Sequence, residues 1–226
     1  MQNVLYHFRF ADGQSASCDV SASADASPAS APAWTALAFE QCPNCPLQPA
    51  STPQCPMAVR FVPLIAMVGK LRSYERVEVC VETSERSVSK VTTVQRGIGA
   101  LMGLLSASSD CPRVGFLRPM AHYHLPFASE DETIYRAAST YLLGQYLLAQ
   151  QGGEPDWSLD GLKASYLGLQ RVNAAMAKRL RPAVEEDGAI NAFILLDLLA
   201  KTLPYSIDEK LEEIKATFSP IVTKMS

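Results

Sequence analysis

Four cysteines stand immediately before proline: Cys42-Pro43, Cys45-Pro46, Cys55-Pro56 and Cys111-Pro112. With six cysteines and 15 prolines in 226 residues, that shared neighbour sets the four apart as a group. Proline biases the preceding residue toward extended backbone and stiffens the loop that carries it. Thiols on stiff loops are gathered at a smaller loss of chain entropy than thiols on free ones. Soft thiolate sets select zinc or an iron–sulfur cluster. Cys42-Pro-Asn-Cys45 has the spacing at which two sulfurs converge from a single turn. Cys55 follows after a short loop, and Cys111 must be delivered from across the fold. The expected occupant of a site made by Cys42, Cys45, Cys55 and Cys111 is Zn2+, with a [4Fe-4S] cluster as the alternative. A switchable thiol set comes next, and a structural disulfide last.

Other residues could complete or extend such a site. Ser109 or Asp110 can cap a helix opening near Pro112, and a helix N-terminus favours a thiolate, which would suit Cys111 as ligand or nucleophile. His122 and His124 lie a short way downstream, and either could replace one sulfur as the fourth zinc ligand. The plainer reading packs one of them and leaves the other in water. His7 alternates within a strand pattern and has no functional reading. Cys18 and Cys80 also lie in strand patterns and read as small core residues. Asp197 and Asn173 interrupt apolar helical stripes. With Arg136, Arg171 or Arg118 they would form either a polar link between helices or a small pocket for an anionic ligand. No catalytic signature is complete: there is no G-x-S-x-G, phosphate-binding glycine loop, H-E-x-x-H or nucleotide fingerprint. Whether the chain is an enzyme is therefore open. Cys111 with a histidine would lack a third group.

Composition bounds the setting of this chemistry. The chain is 48% hydrophobic and 19% charged, with a formal charge of −3, and its pI is near 5.7. That describes a globular chain able to bury a core without staples. Mild acidity disfavours nucleic acid as a partner. No run of about 18 apolar residues stands out, the best being Ala189 to Leu199, so no membrane is expected and the open partner class is another protein. The N-terminus lacks a basic start followed by an apolar core, which makes a reducing cytoplasm the expected compartment.

The elements that must position these groups follow from patterning. Residues 4–10 and 15–20 alternate around Asp12-Gly13 as a hairpin. Residues 21–33 are almost wholly Ser, Ala and Pro and read as a linker. A short strand is expected over Thr35–Phe39, then the cysteine segment, then a helix over Ala58–Leu71 that Pro63 should open or kink. Val77–Thr83 and Ser87–Val94 form a second hairpin. Helices are expected over 96–107, from the Ser129-Glu-Asp-Glu132 capping box to about Gln151, over 159–181, over 188–203, and from Ser206 to about Phe218. The fold class is α+β, with N-terminal antiparallel hairpins packed with a C-terminal helical bundle. The expected organisation is a hairpin at 1–20, a linker at 21–33, a cysteine loop and hairpin region at 34–94 and a bundle at 95–226, with 34–226 as one core.

The run Phe39-Glu-Gln-Cys42-Pro-Asn-Cys45-Pro-Leu, then Cys55-Pro, Cys111-Pro and Arg118-Pro-Met-Ala-His122-Tyr-His124-Leu-Pro126-Phe, resembles an uncharacterised bacterial family of unknown function. The resemblance covers the chain from about Trp34 onward. It implies a bacterial, cytoplasmic setting and carries no catalytic residue with it.

Overall fold

The structure is a computed structural model and describes residues 3–21 and 31–222. Most of the expected linker at 21–33 lies outside the described residues. The fold is α+β. Strands β1 (Leu5–Phe10), β2 (Ser15–Asp19), β3 (Arg76–Glu82) and β4 (Ser87–Thr93) form one antiparallel sheet in the order β2-β1-β3-β4. Gly13 turns the first hairpin at φ 84°, a conformation that costs glycine nothing. The two hairpins join because β1 pairs with β3, Tyr6 opposite Val81 and Phe8 opposite Val79. Alternation sends Tyr6, Phe8, Val77, Val79 and Val81 to one face, where all are buried. The hairpin of residues 1–20 thus shares its sheet and its core with the rest of the chain. Cys80 does not: it stands on the opposite face of β3, partly exposed, against the expectation that it fills the core.

The expected strand at Thr35–Phe39 does not form. A single 3-10 turn covers Ala33–Thr35, and one isolated bridge joins Ala36 to Gln54. The carbonyls of Trp34, Ala36 and Leu37 instead accept hydrogen bonds from the Arg179 guanidinium.

Helix α1 (Pro56–Val68) starts two residues earlier than its apolar pattern suggests, with Cys55 as N-cap and Pro56 in the first turn. Helix α2 (Val94–Ala107) lies close on the sheet, where a Cβ on Gly97 would stand 2.8 Å from Val79 Cγ2. A short α3 (Arg118–His122) precedes α4 (Glu130–Gln150). The Ser129 capping box opens α4 as expected, with Glu132 N–H donating to Ser129 Oγ at 3.1 Å and Ser129 N–H donating to Glu132 Oε2 at 2.7 Å. Helix α5 (Asp160–Leu180) packs along α6 (Gly188–Ile214), and a short α7 (Ser219–Val222) ends the described chain.

Two expected helices at 188–203 and 206–218 are one continuous α6 that runs through Pro204. Proline removes the N–H that would bond the carbonyl four residues earlier. That carbonyl, on Ala200, accepts from Gln170 Nε2 of α5 at 3.1 Å instead. The continuous helical run Gly188–Ile221 is long enough to cross a membrane, and an 18-residue window within it reaches a mean hydropathy of 1.3. In this fold the helix packs on α5, α2 and α4, burying Ala189, Ala192, Phe193, Ala200, Leu203 and Ile207.

Candidate functional site

Three separate segments bring the Cys-Pro cysteines within electrostatic reach of one another. Cys42 opens a four-residue turn closed by Cys45 N–H donating to the Cys42 carbonyl at 2.9 Å. Cys111 opens a matching turn, with Val114 N–H donating to its carbonyl at 3.2 Å. In both, proline takes the second position, where its fixed φ suits a turn. Cys55 caps α1, and its N–H donates to the Thr35 carbonyl at 2.8 Å while its thiol makes no capping bond. The two turns are tied together, since Arg113 Nε donates to the Asn44 carbonyl. Asn44 Nδ2 in turn donates to the Gly168 carbonyl of α5 at 3.0 Å.

The thiols act on one another. Burial pushes Cys42 up to about 12, and Cys55, Cys111 and Cys45 push it the same way, while Arg179 draws it down. Cys111 is also raised, by burial first and by Cys55 and Cys45 in addition. Backbone N–H groups of Arg113 and Val114 bond to the Cys111 sulfur and oppose that rise. At neutral pH Cys42 is therefore a thiol and not a thiolate. No disulfide joins any two of the six cysteines. Among the described residues no three histidine, cysteine or acidic side chains are drawn up as a ready metal-binding group. The Cys-Pro cysteines are electrostatic neighbours.

Two expectations about this region change. Cys111 is not at a helix N-terminus, because the residues after it form turns leading into a 3-10 segment at Gly115–Leu117. The helix end belongs to Cys55. Burial thus dominates at Cys111, which weakens its case as a nucleophile. The histidines lie elsewhere: His122 is exposed beside the Tyr123 ring, and His124 Nε2 is hydrogen-bonded to Tyr6 Oη at 2.7 Å. Neither is among the groups that shift Cys42 or Cys111.

Arg179 was not singled out by its sequence context. It is 1% exposed and its guanidinium donates to the carbonyls of Trp34 (2.7 Å), Ala36 and Leu37 (3.3 Å), below the Phe39 ring. Among the described residues it has no carboxylate partner. A buried cation without a counter-ion is costly, and the groups beside it able to become anionic are the thiols. Its place late in α5, within the turn where Lys178 and Arg179 read as ordinary C-terminal charges, gave no sign of this.

The second polar cluster is only partly assembled. Asn173 and Arg136 line a cavity in the bundle. Asp197 instead pairs with Lys201 on its own helix, Arg118 pairs with Asp110 at 3.0 Å, and Arg171 is exposed.

No curated protein and no solved structure matches this chain. One family does, over residues 4–219, and so takes in the N-terminal hairpin as well as the cysteine region and the bundle. The chain belongs to the family described as a domain of unknown function, DUF6901.

Proposed function

We propose that the chain is a cytoplasmic metal-binding protein in which Cys42, Cys45, Cys55 and Cys111 hold a zinc ion in a structural or regulatory site. The observation that carries this reading is the mutual electrostatic influence of the four Cys-Pro thiols, delivered by three segments remote in sequence. The donor set fits the ion: four soft sulfurs, two on matching turns, one sulfur already receiving backbone N–H bonds, and a buried guanidinium beside them. A zinc ion with four thiolates carries a net charge of about −2, and Arg179 offsets part of it. A closed four-sulfur shell leaves no open position, so the ion would tie the cysteine loop to α1 and to the end of α2 rather than catalyse.

Metal analysis and cobalt substitution of protein purified without oxygen test the proposal. The expected result is near-stoichiometric zinc and, with Co2+, the intense near-ultraviolet and visible bands of tetrahedral thiolate ligation. Serine at any one of the four cysteines should remove both. A brown protein with broad visible absorption would instead place a [4Fe-4S] cluster on the same cysteines. Neither metal in the preparation, with no uptake of cobalt, sinks the site.

A further inference from the structure

The bundle cavity has a volume of about 640 Å³, inside the range of roughly 300–1,000 Å³ over which small-molecule sites fall. Its walls come from α2, α3, α4, α5, α6 and the segment joining α3 to α4, with β4 at the rim, and Leu104, Leu125, Leu195, Leu196 and Leu199 supply much of the apolar lining. Two polar side chains of α5 interrupt that lining. Tyr166 is 3% exposed and Asn173 is 5% exposed, and neither side chain has a hydrogen-bond partner among the described residues. Their polar atoms are not sealed in the core, so they open onto the cavity and can be paired by a guest. Both line a space large enough to hold a partner.

Charge distinguishes among occupants. Arg136 lines the cavity, and its guanidinium acts on both Tyr166 and His124, which gathers a cation, a phenol and an imidazole at one polar end. Lys90 and Arg96 stand exposed at the rim, and neither has a carboxylate partner among the described residues. Among the described residues the one carboxylate in the lining, Glu132, is engaged by the Ser129 N–H in the capping box. A wholly apolar guest would leave Tyr166 and Asn173 unpaired, and a cation would meet three positive groups.

We propose that this cavity binds an amphipathic monoanion, an unbranched acyl chain ending in a carboxylate. Its head lies with Arg136, Tyr166 and Asn173 and its chain lies along the leucines. One guanidinium with two neutral hydrogen-bonding groups matches a single negative charge. The proposal is independent of the zinc reading, because none of these residues belongs to the cysteine cluster.

Calorimetric titration of the full-length protein with dodecanoate, 1-dodecanol and dodecyltrimethylammonium tests it. Dodecanoate should bind saturably at one site, the alcohol roughly tenfold or more weakly, and the cation not at all. Asn173→Leu should weaken dodecanoate by roughly tenfold without lowering the melting temperature. Gly103→Leu should abolish binding, because a Cβ there meets Leu196 Cδ2 at an ordinary 3.6 Å and the rest of the side chain enters the cavity. Should that variant fail to fold, Asn173→Leu carries the test alone. Absence of saturable dodecanoate binding, equal affinity for the alcohol, or undiminished binding by the folded variants overturns the proposal.

Discussion

Helix α5 serves two sites on adjacent stripes, and the sites are built by opposite means. Gly168 and Arg179, eleven residues apart and so within about 20° around the helix, meet the cysteine region, one accepting from Asn44 and the other acting on Cys42. Tyr166, Leu169 and Asn173, spaced by three and four, line the cavity. The cysteine region has almost no regular structure and is held by turn bonds, side chains reaching backbone carbonyls, and one buried guanidinium. The cavity is made mostly of helices and the loop between two of them, with β4 at its rim. Irregular backbone must find a partner for each polar group outside a ladder, and here those partners are what bring the thiols together. Regular helices satisfy themselves, so the cavity can leave side-chain groups unpaired for something else to use.

The largest expected effect follows from protonation at the cysteine side of that contrast. Zinc displaces protons from its thiols, and Cys42 at about 12 keeps its proton throughout the neutral range. Protons are bound before the metal and released by it, so apparent zinc affinity rises with pH, by roughly tenfold or more per unit through neutrality. Competition titrations with a chelator at a series of pH values measure the slope. A flat profile would mean that the thiols are not the ligands.

Next in size is Arg179→Met. It removes the buried donor for the carbonyls of Trp34, Ala36 and Leu37 and should cost about 4 kcal/mol by denaturant unfolding. If the two sites are as separate as their construction suggests, zinc affinity falls as well while dodecanoate binding by the folded fraction is unchanged. Loss of both together would make α5 a single unit and erase the distinction.

How much of each site was legible follows the same division. The cysteines were visible as donors because their type and their prolines mark them wherever they fall, and turn chemistry is local. Arg179 was not, because an arginine near a helix C-terminus is ordinary until the fold buries it against three carbonyls. The missing strand at 35–39 and the unbroken α6 share one feature: in each, carbonyls are satisfied by a side chain from α5, a partner more than 25 residues away that no local pattern contains. The cavity was hidden for a different reason. Its leucines follow the same spacing as core leucines, and a stripe facing a void reads like a stripe facing a neighbour. Asn173 interrupting that stripe was the one available signal, and Asp197, with the same signal, answers to Lys201 instead.

His124 probes the cavity side by pH. Burial and the Arg136 charge hold it at about 4, against 6.5 for the free side chain. Between those values the unfolded chain binds the extra proton and the folded chain does not. The resulting stability, about 3 kcal/mol, is present in full above about pH 6.5 and is lost as pH falls toward 4. Chemical unfolding across this window should show the slope in the parent protein and a reduced one in His124→Gln. Equal slopes would assign the acid sensitivity to other groups and leave the imidazole outside the polar end of the cavity.

The smallest effect is the most discriminating, because it separates the cap from the charge balance of the cavity. Ser129→Ala removes the hydroxyl that accepts from Glu132 N–H and should cost about 1 kcal/mol, as for other N-caps. The Ser129 N–H still donates to Glu132 Oε2 after this change, so the carboxylate keeps its place. Dodecanoate affinity should therefore be nearly unaltered. Glu132→Gln deletes the negative charge that the described lining carries and keeps an acceptor for that N–H, so it should tighten dodecanoate severalfold at a similar or smaller cost in stability. If both variants change binding in proportion to stability, the rim acts through helix order alone. If only Glu132→Gln does, the cavity reads charge.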